Sequence, residues 1–405
     1  MAVRVSKPEI NLRDKLNKAE PPIGAHGSQL LKSKSTSETF DLVRAGRRNL
    51  IINGNMEIWQ RSSNANVTGA TGLKFGPDRW MFEEGCANLV TTLTRSTDTP
   101  YDQGFRYSFQ LSPSQVESAL DAGDFAQYMY FVEGYDFAPA QWGTINAKPC
   151  TFSFWFKTNM GGEHYVSFSS SSGVDTWSTS IRSTMNVWEH HVITVPPPMT
   201  GTWNYEIGRG VEIRIGLMRS GTVTEANSGQ WYHGGTNYDG FADAHSDWAF
   251  NTAHNAYLTG VQFEIGSQAT PFEHRPYAEE LTSCQRYFAI FPGRSGGIPF
   301  WQGYMGSSNG YCSIPVPNFN FRAVPTPTDA TTGTSSSTGS IYNATGSNIN
   351  SRFAGNGTVT LSCGGYAPSG IGLIMNFGTH QSGSKEGVVA SWNGAVPGIF
   401  LDAEL

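Results

Sequence analysis

The sequence predicts a mainly β protein: two β-sandwich (jelly-roll-like) domains joined by a short helical connector, with an extended N-terminal arm. Three observations predict it. Gly accounts for 46 of the 405 residues, and with abundant Ser, Thr and Asn it supplies the turns that many short strands need. Charged residues are 15% of the chain and aromatics 13%, whereas soluble domains carry about 25% charge, so few solvated helix faces can be built. Runs of strict alternation are the third. In Thr151–Lys157 (TFSFWFK) the rings of Phe152, Phe154 and Phe156 fall on one side, the period of a half-buried strand.

The arm comes first, at residues 1–48. Residues 1–36 are polar, are interrupted by Pro8, Pro21 and Pro22, and show no sustained period. A short helix is predicted over Ser37–Arg48, with Ser37 as cap, Phe40 and Val43 on one face, and Arg47 and Arg48 at its negative end. Residues 1–50 hold ten basic side chains against five acidic ones, while the whole chain is at -6. A basic arm on an acidic body reads as an attachment segment, with Arg4, Lys7, Arg13, Lys15, Arg44, Arg47 and Arg48 as docking candidates. It lacks the dense basic run expected of a nucleic-acid binder.

From Asn49 the texture is that of strands. Asn49–Ile52 opens an apolar run that Asn53-Gly54 breaks as a turn. Thr151–Lys157, Tyr165–Ser169, Glu189–Val195, Gly210–Leu217 and Tyr257–Ile265 are strand candidates within a first sandwich, 49–275. In the last of these Val261, Phe263 and Ile265 are expected inward, and Gln262 and Glu264 outward. Glu273 is expected to pair with Arg275 or Arg79. Ser220–His254 is a long insert rich in Gly, His and aromatics, and loops of that length are commonly functional or interfacial. Pro276–Tyr287 reads as the helical connector, 276–287. The second domain, 288–405, has strand candidates Gly310–Pro315, Ser340–Tyr342, Gly357–Cys363, Gly370–Phe377 and Gly387–Ser391, with Thr326–Gly339 expected as a loop.

Cys86, Cys150, Cys284, Cys312 and Cys363 are odd in number and scattered, without zinc or redox spacing. They read as buried small hydrophobes in a chain that folds in a reducing cytosol. Met1–Lys18 is too polar for a signal peptide, and no stretch approaches the ~20 apolar residues of a membrane span.

Asn49–Arg61 (NLIINGNMEIWQR), followed by Gly76-Pro77-Asp78-Arg79-Trp80, resembles a pattern of tail-fibre and virion structural proteins of tailed phages. Leu258–Tyr287 resembles the block that ends the first sandwich of those proteins. Pro315–Pro327 and the terminal Asp402-Ala403-Glu404-Leu405 are similar to their distal domain. The resemblance implies a sandwich like a carbohydrate-binding module, a connector and a distal β domain on a virion appendage, often trimeric. It implies partners of two kinds, other virion proteins through the arm and a host-surface glycan. It also implies a location on the virion after assembly in the host cytoplasm. A decoration or adaptor protein of capsid, neck or tail is the other reading.

No enzyme is expected. Nucleophile elbows, phosphate loops, metalloprotease motifs and β-helix repeats are missing from the sequence, and His190-His191 alternate across a strand. Gln230–Trp248 is a candidate binding surface. Trp231, Tyr232, Tyr238 and Trp248 offer flat faces for sugar C–H groups, while Asp239, Asp243, His233 and Asn237 offer partners for hydroxyls. The same aromatics could instead be buried between protomers. Asp239, Asp243 and Asp247 are candidate ligands for a structural calcium ion, although their spacing is not that of an EF-hand; no other cofactor is expected. In the distal domain Trp301, Tyr304 and Tyr311 form a second aromatic candidate, with core packing as the alternative.

Overall fold

The computed structural model describes residues 47–61, 64–68, 74–220, 228–233, 246–292, 299–305, 310–315, 321–322, 326–329, 336–338, 340–343, 358–365, 371–376, 387–391 and 398–404. For 64–68 and for most of the strands beyond 290 it gives the backbone course only. Asn49–Leu405 forms one compact unit, and Met1–Arg48 another. The predicted helix 37–48 and docking candidates Arg4, Lys7, Arg13, Lys15 and Arg44 lie outside the described residues; Arg47 is exposed and Arg48 half-buried.

The architecture is mainly β, and every strand pairing is antiparallel among the described residues. Thirteen strands build a sandwich: β1 (Asn64–Thr68), β2 (Lys74–Phe75), β3 (Trp80–Glu84), β4 (Val90–Ser96), β5 (Ser108–Gln115), β6 (Phe125–Glu133), β7 (Cys150–Thr158), β8 (Gly162–Ser169), β9 (Asp175–Ser183), β10 (Glu189–Val195), β11 (Arg209–Arg219), β12 (Trp231–His233) and β13 (Ala256–Ile265). The front sheet runs β1-β4-β5-β13-β7-β10, and the back sheet β12-β9-β8-β11-β6-β3-β2. Alternation sends Phe109, Leu111, Phe152, Phe154, Phe156, Leu258 and Phe263 from the front inward against Trp80, Phe82, Tyr128, Tyr130, Val166, Phe168, Ile213 and Ile215 from the back. Each such side chain stabilises the fold by about 2–3 kcal/mol relative to exposure.

A single-turn helix α1 (Gly134–Phe137) follows β6, and α2 (Tyr277–Gln285) lies where the sequence places its connector. After it come β14 (Phe288–Pro292), β15 (Pro299–Met305), β16 (Gly310–Pro315), β17 (Thr326–Asp329), β18 (Ser336–Thr338), β19 (Ser340–Asn343), β20 (Thr358–Gly365), β21 (Ile371–Asn376), β22 (Gly387–Ser391) and β23 (Gly398–Asp402). They form a three-stranded sheet, β14-β23-β17, and a seven-stranded one, β18-β20-β21-β16-β15-β22-β19. Thr326–Gly339, expected as a loop, thus contributes β17 and β18. Backbone pairing to β23 and β20 overrides its Ser/Thr/Gly composition.

The first segment that carries the resemblance, Asn49–Arg61, is a seam between the sandwich and α2, and Asn49–Ile52 is not the strand expected there. Asn49 Oδ1 accepts the N–H groups of Ile51 and Phe263, and Asn49 Nδ2 donates to the Val261 carbonyl. The side chain thus does locally what a ladder would do. Asn53 turns the chain at φ 58°. Its amide group bonds the backbone of Ile58 and Asp78, and its own N–H donates to Glu280 of α2.

Gln262 and Glu264 point away from the core as their phase requires, yet they are 0% and 1% exposed instead of facing water. The chain after β13 folds back over them. Thr270 N–H donates to Glu264 (2.7 Å), and Glu273 N–H donates to Gln262 Oε1 (2.9 Å). Glu273 does pair with Arg275, at 3.3 Å, whereas Arg79 is bound by Glu404 and stacks 3.6 Å above the Tyr287 ring. Glu133 accepts the Tyr287 hydroxyl (2.5 Å) and the Arg286 guanidinium (2.7 Å), completing the join. Cys86, Cys150 and Cys284 are buried, as expected, and the side chains of Cys312 and Cys363 lie outside the description.

Candidate functional site

Half-buried aromatic side chains gather on the outward face of the front sheet. The phase that buries Phe152, Phe154 and Phe156 turns Trp155 and Lys157 of β7 outward. Register extends the row across five neighbouring strands. Trp155 lies opposite His190 of β10 and Thr259 of β13, Lys157 opposite Tyr257, Tyr257 opposite Gln110 of β5, and Gln110 opposite Thr94 of β4.

Lys157 sits at the middle. Its Nζ is 2.6 Å from Asp98 Oδ2, 5.2 Å from the Tyr257 ring centroid and 5.9 Å from that of Trp188. Asp98, on the loop after β4, also accepts the Trp188 indole N–H at 2.9 Å. That bond fixes the plane of Trp188, whose ring stands 6.2 Å from Tyr257. On the far side Trp155 and His190 lie 5.1 Å apart at 32°. Burial raises the Tyr257 pKa above the usual phenol value, and the Asp98 charge adds to it, so the hydroxyl stays a donor. Burial lowers the pKa of His190.

Trp155, Trp188 and Tyr257 are each half-buried, unlike the core aromatics. A ring left partly open forgoes a fraction of the roughly 1.5–3 kcal/mol that full burial supplies, and three such rings share this face. Beside them runs a polar row. Gln110 Nε2 donates to Ser112 Oγ and to Asn255 Oδ1, both at 3.0 Å, and Ser112 Oγ donates to Asn255 Oδ1 at 2.5 Å. Flat ring faces beside fixed amides, hydroxyls and a carboxylate–ammonium pair suit a ligand that is apolar on its faces and hydroxylated at its edges.

The residues singled out from the sequence are placed differently. Trp231, in β12, is half-buried. Its indole N–H donates to the Pro196 carbonyl at 2.7 Å, and its ring packs edge-on against Trp142 (5.1 Å) and Trp203 (5.5 Å). Tyr232 beside it is half-buried. Trp248 is 0% exposed and packs 6.2 Å from Phe82 inside the sandwich, so its face is closed to a ligand. A short 3-10 turn, Ser246–Phe250, tucks it in. The burial is within the chain's own core and needs no second protomer.

Tyr238, Asp239 and Asp243 lie outside the described residues. Asp247 is exposed, and no group of three His, Cys, Asp or Glu side chains suited to a metal ion occurs among the described residues. Trp301 and Tyr304 lie on β15 and Tyr311 on β16, where Tyr304 and Tyr311 are backbone partners; their side chains are outside the description. The front-sheet face therefore went unnamed in the sequence, although the alternation of TFSFWFK already sets Trp155 apart from its three Phe neighbours.

No protein-family model and no curated protein sequence matches the chain. Among solved structures it is similar to the enzymatically active domain of bacteriophage CBA120 tailspike protein 4. The identity is 13% and the TM-score 0.27, over 54% of this chain and 21% of that one, about a fifth of the tailspike chain's length. It is similar to the family 11 carbohydrate-binding module of a cellulosomal cellulase of Clostridium thermocellum, at 14% identity and TM-score 0.24, over 51% of this chain and 99% of that one. A cyclase from Fischerella sp. TAU is similar at 8% identity and TM-score 0.28, over 56% of this chain and 100% of that one.

Proposed function

We propose that this chain is a phage virion appendage protein that attaches the particle to host-surface glycans through the outward face of its front sheet. The observation that supports this reading is the group of Trp155, Trp188 and Tyr257, held half-buried around the Lys157–Asp98 pair on an outward sheet face. Pyranose rings present C–H groups that pack on such faces, and their hydroxyls match the Gln110–Ser112–Asn255 row. Single contacts of this kind are weak. Several copies on one appendage, assembled as a homotrimer and docked to other virion proteins through residues 1–48, would raise avidity by orders of magnitude.

The test is binding of the labelled full-length protein to susceptible bacteria, with its mass measured by light scattering. Saturable binding by a trimer, competed by the purified surface polysaccharide, is the expected result. A folded protein that binds no susceptible cell and no surface polysaccharide would sink the reading.

A further inference from the structure

Asp175, Thr200 and His233 meet at the edge of the back sheet, away from the front-sheet face. β12 pairs with β9 so that His233 stands opposite Asp175. His233 Nδ1–H donates to Asp175 Oδ1 at 2.6 Å, which leaves Nε2 as the acceptor, 3.5 Å from Thr200 Oγ1. The Asp175 side chain is 3% exposed and that of His233 43%, while Thr200 is exposed. A desolvated carboxylate, an imidazole and a surface hydroxyl thus stand in the order used by nucleophilic hydrolases, and a loose hydroxyl contact is usual before substrate binds.

The turn that carries Thr200 packs closely on the Asp175 carboxylate. Gly201 has φ +100°, and a Cβ there would stand 2.6 Å from the Asp175 carboxylate, so only glycine lets the turn close over it. The second carboxylate oxygen accepts the Thr202 N–H at 3.2 Å, which fixes the plane that orients the imidazole. Met199, 62% exposed beside Thr200, offers apolar surface for a short acyl chain.

We propose that Thr200, His233 and Asp175 form an acyl-transfer centre that cleaves short-chain O-acyl esters, such as acetyl groups on sugar hydroxyls. Thr200 Oγ1 bonds to the ester carbonyl carbon while His233 Nε2 takes the hydroxyl proton. The C–O bond to the alcohol breaks, and that proton passes to the departing oxygen. Water, deprotonated by the same nitrogen, attacks the acyl-threonine, releases the carboxylic acid and returns the proton to Thr200. Asp175 holds the tautomer and stabilises the imidazolium in both halves.

The experiment uses the full chain with p-nitrophenyl acetate and, separately, a fluorophosphonate probe mapped by mass spectrometry. Wild type should hydrolyse the ester above the buffer rate and carry the label on Thr200. Thr200→Ala should lose about 100-fold in rate, while Thr200→Ser, with a less hindered hydroxyl, should keep or exceed the wild-type rate. Thr200 is exposed, so both variants should melt as wild type does. Hydrolysis at the buffer rate, hydrolysis that survives Thr200→Ala as unassisted imidazole chemistry, or a label elsewhere would each overturn the proposal.

Discussion

Glu84 is a buried carboxylate with little to compensate its burial. It ends β3 facing inward, 2% exposed, with only the Thr91 hydroxyl beside it to offset the loss of water. Burial pushes its pKa up to about 8, with the charge of Glu117 adding. Below the ordinary carboxylate pKa both the folded and unfolded chains are protonated there, and the group is neutral to stability. Between about 4.5 and 8 the unfolded chain ionises while the folded one holds its proton, so stability falls as pH rises through that window. Glu84→Gln should therefore stabilise the protein by on the order of 1–2 kcal/mol at pH 7.5, after allowance for screening, and by little at pH 4. Denaturant melts at the two pH values decide it; an equal gain at both would show that ionisation is not the cost. Nothing in the run WMFEE marks one of its two glutamates as buried. The interior phase of β3 picks Glu84, and that phase becomes visible only once β6 pairs beside it.

At the scale of elements, sequence alternation and β-branched runs were legible even in β11 and β13, which are buried at nearly every position, whereas the short alternating β4 went unread. β7, β10, β11 and β13 lie where alternation or β-branched runs place them. β6 (FAQYMYFVE) escaped because nearly every position is buried, which leaves no alternation to read. β9 (DTWSTSIRS) escaped because its Ser and Thr residues read as loop although most are buried. The turn after Ile52 was legible as Asn-Gly, but the reason for the glycine was not. A Cβ at Gly54 would overlap the Val261 carbonyl of β13. Gly54→Ala should cost more than about 2 kcal/mol by forcing the seam off the sheet, measured as a drop in the denaturant midpoint; an unchanged midpoint would mean that the seam can shift freely. The candidate site divides the same way. Trp155, Lys157 and Tyr257 belong to predicted strands, whereas Asp98 and Trp188 come from loops 90 residues apart. No sequence pattern announces that meeting, which antiparallel register alone creates.

At the scale of the molecule, one sheet of the sandwich offers an aromatic face and the other carries a hydroxyl–imidazole–carboxylate group. The chain after α2 is tied back to the sandwich by Arg79–Glu404 and Arg61–Asp402, the latter at 3.2 Å. The low charge content first read from composition fits a body whose exposed surface includes uncharged rings. The measurement that tests attachment most directly is the dissociation constant for purified host surface polysaccharide, compared between wild type and the double substitution Trp188→Ala, Tyr257→Ala. Both rings lie outside the core, so the variant should keep its circular dichroism spectrum while its affinity falls about tenfold or more, as loss of a stacking pair of about 1–1.5 kcal/mol or greater requires. Unchanged affinity in a folded variant would contradict the account and move the binding surface elsewhere on the chain.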